Sequence, residues 1–155
     1  MAFQQQVYVL AGEGIQGTIS RVEPVYGRPA VAGDTNVVAG KFVFEPTTPD
    51  FITYNGVGAA ATDVPVGLAI QNGSADDRTA GTSLAIAKDT VFFLLDKGYA
   101  WIKSTTDAAV GNKVIVIATT GVIKTAASAG AGEVDTGWTV TKAGTAGKNI
   151  EVRKI

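Results

Sequence analysis

One triplet in this sequence has the residue types of a catalytic site. Asp135, Thr136 and Gly137 match the Asp-Thr-Gly triplet of aspartic proteases, in which two close carboxylates share a proton because both cannot ionise together. A chain with one copy of the triplet would have to dimerise to bring two aspartates together. The same residue types also favour a turn before a strand that begins at Trp138. A dimeric aspartic protease using Asp135 is therefore an alternative to a turn.

Two glycine-rich stretches resemble nucleotide-binding loops but lack the required context. Residues 12–17 match the dinucleotide fingerprint, which works only when its last glycine opens a helix. Pro24 and Pro29 follow too closely to leave room for that helix. Residues 144–149 resemble a phosphate loop, but Asn149 replaces the hydroxyl residue that would hold magnesium. We expect both stretches to be turns.

The composition excludes most other catalytic chemistry. The chain has no Cys and no His, which removes disulfides, thiolate nucleophiles, His general bases and most zinc sites. Asp76 and Asp77 are adjacent acidic residues, but no calcium loop with ligands at alternate positions surrounds them. The sequence therefore predicts no cofactor and no metal.

Charge and hydropathy bear on the possible partners. The net charge of −1 gives no overall field for binding nucleic acid, and no apolar run approaches the length of a membrane span. Charged residues make up only 17% of the chain, below the roughly 25% of an average domain, so we expect a partner to cover part of the surface. The charges are uneven: residues 1–96 hold 5 basic and 10 acidic side chains, and residues 97–155 hold 8 and 4.

The central elements are predicted in residues 83–118. Residues 91–95 and 99–102 are apolar runs separated by Asp96, Lys97 and Gly98, a pattern that predicts a β-hairpin. Residues 113–118 contain four consecutive β-branched residues and predict a third strand. No segment shows convincing helical periodicity.

The rest of the chain predicts an all-β fold with an extended N-terminal arm. All five prolines lie in the first 65 residues, which favours edges, turns or an extended arm there, and residues 21–35 read as an extended loop. Short strands with turn signals between them predict a compact antiparallel β-barrel or jelly-roll-like sandwich. We divide the chain into an arm with an edge strand at 1–35 and a core domain at 36–155. Further strands are predicted at residues 4–11, 37–44, 51–54, 64–71, 83–87, 121–125, 137–142 and 149–154.

The order of these pieces resembles the structural cement, or capsid decoration, proteins of tailed bacteriophages. The resemblance covers roughly residues 37–155 and rests on the order and spacing of the matching stretches. The matching stretches are 37–44, 64–69, Tyr99-Ala100-Trp101, 107–114, 136–140 and the end of the chain from Ala146-Gly147.

The resemblance implies a non-enzymatic protein without catalytic residues. It implies a barrel or jelly roll that sits as a dimer or trimer on the outer surface of the virion capsid, after synthesis in the host cytoplasm. The partners would be the major capsid protein and further copies of the chain, with no nucleic acid and no membrane. The alternative is a head-fibre base or host-surface adhesin that stacks sugars on Trp101 or Trp138.

Aromatic and Arg side chains dominate the energies of interfaces, so those of the arm are the candidate anchors on the shell or a sister subunit. A deletion of residues 2–30 is expected to abolish shell binding and leave a folded core. The candidate anchors are Phe3, Tyr8, Arg21, Tyr26 and Arg28.

Overall fold

The computed structural model describes residues 14–21, 25–70 and 84–155. Within these ranges the chain forms nine strands and no helix, which confirms the all-β prediction. None of the described residues belongs to a helix that could cross a bilayer. The predicted strand at 4–11 lies outside the described residues. The strands are β1 Tyr26–Ala32, β2 Phe42–Val43, β3 Thr53–Tyr54, β4 Gly67–Ile70, β5 Val91–Lys103, β6 Lys113–Ile117, β7 Val122–Ala126, β8 Val134–Lys142 and β9 Asn149–Lys154.

The strands form one curled and mainly antiparallel sheet. The path runs β2-β4-β5-β9-β8-β6-β7, and β1 pairs with β5 beside it. The one parallel pair among the described strands joins β1 to β3. The antiparallel, barrel-like architecture predicted from the sequence is therefore confirmed.

The predicted hairpin in residues 91–102 is wrong, because β5 runs unbroken through the polar residues between the two apolar runs. The first part of β5 pairs with β1 and β4, and from Gly98 onward it pairs with β9. Gly98 adopts a φ of 137°, which favours glycine. The polar residues are thus the point where one long strand changes partners, and they join two half-sheets. The first half-sheet comprises β1–β4 with residues 91–97, and the second comprises residues 98–103 with β6–β9.

The early chain differs most from prediction. The expected loop at 21–35 contains β1, an edge strand that tolerates Pro29 because it pairs with β5 on one side only along that stretch. The expected strand at 37–44 shrinks to β2, and the one at 83–87 to an isolated bridge at Ala85. Later predictions were closer: β6, β7, β8 and β9 fall near the expected positions, and β8 and β9 form the final hairpin.

Two buried clusters lie on opposite faces of the first half-sheet. Alternate residues along β4 belong to different clusters: Leu68 and Ile70 to one, Ala69 to the other. The larger cluster continues into the second half-sheet and contains Trp138, whose ring meets that of Phe42 edge-on at 6.4 Å. Trp138 is only 1% exposed. The larger cluster is thus the main core, and both half-sheets contribute to it.

A short N-terminal segment, residues 14–21, lies along the outer edge of β5 and is called the strap below. The strap adds backbone hydrogen bonds to β5, from Gly17 N–H to Trp101 O at 2.8 Å and from Ser20 N–H to Tyr99 O at 3.0 Å. Asn149 Nδ2 also donates to Gly14 O at 2.7 Å. Strap and β1 therefore both pair with β5, and a deletion of residues 2–30 would remove these hydrogen bonds. That such a deletion leaves a folded core stays a prediction.

Candidate interaction surfaces

The predicted anchor residues fall into two groups. Phe3 and Tyr8 lie outside the described residues. Arg21 ends the strap, and Tyr26 and Arg28 lie on β1. The structure therefore places three of the five candidates on neighbouring parts of the surface.

Arg21 is held by a carboxylate on β9. Its Nη2 donates to Glu151 Oε1 at 2.7 Å, and its guanidinium lies 4.5 Å from the ring centroid of Tyr99. Thr141 Oγ1 donates to the same Glu151 oxygen at 2.7 Å. Side-chain exposure is 54% for Arg21 and 8% for Glu151. A nearly buried charge with one half-exposed partner thus fixes the end of the strap.

The environment of Glu151 keeps it ionised. Burial by itself raises the pKa of Glu151, but hydrogen bonds from Arg21 and Thr141, together with the Arg21 charge, outweigh burial and leave the pKa below its ordinary value. Glu151 is therefore a structural carboxylate at neutral pH.

A groove lies beside this ion pair on the outer face of the second half-sheet, and we call it the cationic groove. It has a volume of about 410 Å³ and includes two Arg and no acidic residue among its described lining residues. Val110 forms part of its wall and is 67% exposed. No described side chain forms an ion pair with Arg153, whereas Arg21 is paired with Glu151. The lining residues are Arg21, Tyr99, Val110, Gly111, Thr139, Val140, Thr141 and Arg153.

Tyr26 and Arg28 lie near a second groove that shares Tyr99 with the first. This groove, of about 600 Å³, is lined by Tyr26, Asp96 and the C-terminal Ile155 among others. Tyr26 is 61% exposed and Ile155 is 81% exposed. Arg28 donates to Asp96 Oδ2 at 3.1 Å, so it borders the same region.

A third exposed feature, the tip at residues 50–52, was not singled out by the sequence. Phe51 is 80% exposed and Ile52 57%. Phe51 adopts a φ of 67°, which is uncommon for a residue with a bulky side chain. The Asp50 carboxylate holds this turn by accepting hydrogen bonds from Thr53 N–H at 2.7 Å and from the Thr53 hydroxyl at 2.6 Å. These bonds lower the pKa of Asp50.

The tip is also connected to the first half-sheet. The Tyr54 hydroxyl donates to the Phe51 carbonyl at 3.2 Å, and Arg28 Nη2 donates to that hydroxyl at 3.1 Å. Arg28 in turn pairs with Asp96. A chain of polar contacts therefore holds the backbone of the tip in one conformation, which reduces the entropy that a partner must remove on binding it.

Asp135 has a structural environment. Its Oδ2 accepts from Lys113 Nζ at 2.6 Å, and its Oδ1 accepts from Gly137 N–H at 2.9 Å. The hydrogen bond and charge of Lys113 lower the pKa of Asp135, the opposite of the raised pKa needed for a shared proton. Gly137 has a φ of 77° and lies in an irregular part of the β6–β8 ladder. The triplet is thus a bulge inside β8 rather than a turn before it.

The remaining motifs have structural roles in the described chain. Trp138 is buried in the core, and Trp101 is 9% exposed beneath Gly14 of the strap, where a Cβ would lie 2.1 Å from its ring. Residues 144–148 lie in the connection between β8 and β9, and Asn149 begins β9. Among the described residues, no group of three or more acidic side chains is placed to hold a metal ion.

The uneven charge of the sequence corresponds to two regions of the structure. The described residues 25–70 and 84–97, around the first half-sheet, carry six carboxylates and four Lys or Arg side chains. Residues 14–21 and 98–155, around the second half-sheet, carry four carboxylates and eight Lys or Arg. The tip therefore lies in the acidic region and the cationic groove in the basic one.

Two solved structures of phage proteins share this fold. A chain from the capsid of Myoviridae phage XM1 matches with a TM-score of 0.68 and 19% identity, over 99% of this chain and 97% of that one. The head fiber gp8.5 N base of bacteriophage phi29 matches with a TM-score of 0.52 and 12% identity, over 85% of this chain and 95% of that one. No curated protein matches the sequence.

The sequence itself matches a family of phage proteins along nearly its whole length. The family is described as structural cement protein (E217 gp24/Pam3 gp6), and the match covers residues 3–154. The family match therefore includes the strap and β1, whereas the resemblance described from the sequence began at residue 37. This chain belongs to the phage structural cement protein family.

Proposed function

We propose that this protein is a decoration protein that binds the outer surface of an assembled phage head as a homo-oligomer of two or three copies. It stabilises the head by bridging neighbouring major capsid subunits. The match to the cement family over residues 3–154 carries this proposal.

The physical mechanism is linkage between binding and assembly. A protein that binds only the assembled shell stabilises it by RT ln(1 + [L]/Kd), about 2.7 kcal/mol per site at a hundredfold excess over Kd. An oligomer that contacts several shell subunits raises the effective concentration for each further contact. Weak individual contacts are then sufficient to hold the oligomer on the shell.

The fold supplies what this role needs. Its larger core is apolar and continuous across both half-sheets, and the carboxylates of Glu151 and Asp135 are each engaged in an ion pair. The exposed apolar tip and the two grooves provide surfaces that a partner can cover. Asp135, paired with Lys113, has no catalytic part in this account.

The N-terminal residues are the part of this proposal that needs a separate test. The division into an arm at 1–35 and a core at 36–155 stays a prediction, as does contact of the five anchor residues with the shell or a sister subunit. A deletion of residues 2–13 keeps every described residue of the strap. We expect this deletion, which removes Phe3 and Tyr8, to weaken co-sedimentation with undecorated mature shells, and circular dichroism of the variant checks that it is folded. Undiminished binding would exclude these residues as anchors.

A second candidate function is a head-fibre base, favoured by the fold shared with the phi29 head fibre N base. Such a protein would bind the head at one face and carry a further chain at another. In an adhesin form, stacking of sugars on Trp138 is opposed by its burial. Binding to undecorated shells without any increase in their heat resistance would favour the fibre base over cement.

A further inference from the structure

We propose that the tip of one copy, residues 50–52, docks into the cationic groove of a second copy of this chain. This contact deepens the proposed function, because it assigns the surfaces through which the decoration protein would self-associate. It rests on four observations: the exposure of the tip, its fixed conformation, the shape of the groove and the opposite charges of the two regions.

The tip has the properties of an interface anchor. Phe51 and Ile52 expose large apolar side chains next to each other, and covering them removes apolar surface from water. The hydrogen bonds of Asp50 and of Tyr54 hold the backbone at Phe51 in place before any partner arrives. Aromatic side chains are enriched among the residues that contribute most to binding.

The cationic groove has complementary properties. Its volume of about 410 Å³ lies in the range that accepts small apolar groups, and Tyr99 and Val110 offer it an aromatic face and an exposed apolar wall. Arg153 lines it without an ion-pair partner among the described side chains. A partner that brings an apolar side chain next to a carboxylate fits this lining.

The charges of the two regions fit a second copy as the occupant. The tip follows Asp50 and lies in the region with six carboxylates and four cations, while the groove lies in the region with four carboxylates and eight cations. Contact between tip and groove therefore joins regions of opposite net charge, whereas contact between two tips or two grooves joins like charges. The contact closes either as a reciprocal two-fold pair or as a ring of copies.

Sedimentation velocity of the purified protein tests this contact without any shell present. We expect the wild-type protein to self-associate with increasing concentration, and less at high salt because the two regions attract electrostatically. Phe51→Ala in the tip and Val110→Glu in the groove should each weaken self-association by about tenfold or more, the size expected for loss of an anchor. Val64→Glu is the matched control, since Val64 is also 67% exposed but lines neither surface.

Mixing the two variants gives the decisive result. At concentrations at which each variant alone is monomeric, an equimolar mixture should form dimers, because the intact tip of Val110→Glu can enter the intact groove of Phe51→Ala. Far-UV circular dichroism and thermal unfolding confirm that each variant is folded, and Ile52→Ser replaces Phe51→Ala if that variant is not.

Three results would overturn the contact: a wild-type protein that stays monomeric at high micromolar concentration, variants that associate like wild type, or a mixture that stays monomeric. A monomeric wild type together with loss of shell binding in Val110→Glu would assign the groove to a shell segment instead. Shell binding itself is measured separately by co-sedimentation, so failure of this contact leaves the proposed cement function standing.

Discussion

Replacing Glu151 by Gln is expected to loosen the strap, because it removes the charge that holds Arg21. Gln keeps the size of Glu151 but offers only one acceptor oxygen to Arg21 and Thr141, which now share one carboxylate oxygen at 2.7 Å each. Losing one partner of a fully buried pair costs about 3–5 kcal/mol, and an exposed pair contributes less than about 1 kcal/mol. Because Glu151 is 8% exposed and Arg21 is 54% exposed, we expect the substitution to lower the free energy of unfolding by about 1–3 kcal/mol.

Thermal unfolding monitored by circular dichroism measures this loss. For a domain of this size, the expected loss lowers the unfolding temperature at pH 7 by about 2–10 °C. Because the pKa of Glu151 is lower in the folded than in the unfolded protein, its contribution is complete above the unfolded value and disappears as pH falls through the folded value. The difference between wild type and Glu151→Gln should therefore shrink below about pH 4.5 and vanish in stronger acid.

The comparison of two proteins under the same conditions isolates Glu151. Asp50, Glu133 and Asp135 also have lowered pKa values, but they are present in both proteins and affect both alike. Equal unfolding temperatures at pH 7, or a difference that stays constant into strong acid, would refute the assignment of Glu151 as the charge that fixes the strap.

Three further substitutions test the fold and the role of the Asp-Thr-Gly triplet. Trp138→Ala should destabilise the protein by about 3–5 kcal/mol in urea unfolding, because it leaves a cavity in the main core; a loss below about 1 kcal/mol would show that this ring is not part of the core. Gly56→Ala should also be strongly destabilising, since its Cβ would lie 2.0 Å from Asn36 O, and wild-type stability would contradict that close approach. Asp135→Asn should cost less than about 1 kcal/mol, because the pair with Lys113 is partly exposed. Neither the wild type nor Asp135→Asn should cleave peptides, and cleavage lost on this substitution would support the protease alternative.

The β6–β7 and β8–β9 hairpins of the second half-sheet could be predicted from the sequence because their pairings are local. β8 and β9 are joined by a short turn around Gly147, and β6 and β7 by a turn at Gly121, so each hairpin is encoded within about 20 residues. Consecutive β-branched residues at Val114 and Ile115 fit only a buried strand. Local propensity and tertiary structure agree in this part of the chain.

The first half-sheet could not be predicted in the same way, because its pairings are distant in sequence. β1 pairs with β5, 60 or more residues away, and this pairing makes a strand of a segment whose Pro and Gly residues favour a loop. The polar residues Asp96 and Lys97 are compatible with a turn, but pairing on either side carries β5 straight through them. Tertiary pairing overrode local preference in both places.

The candidate surfaces were only partly visible in the sequence. Arg21 was singled out for its residue type, but its partner Glu151 lies 130 positions away and no local pattern joins them. A signal for the tip was present: Pro49 and Asp50 precede Thr53 at the spacing of an Asp-capped turn, which could have shown that Phe51 is exposed. The grooves depend on how the sheet curls, so they required the structure.

Binding to undecorated mature phage shells tests the central claim most directly. Purified protein is mixed with these shells, the mixture is sedimented, and the heat resistance of the shells is measured with and without the protein. The account predicts that the protein sediments with the shells to saturation and raises the temperature at which they come apart. Shells that leave the protein in the supernatant, or that bind it and fall apart at an unchanged temperature, would contradict a cement function.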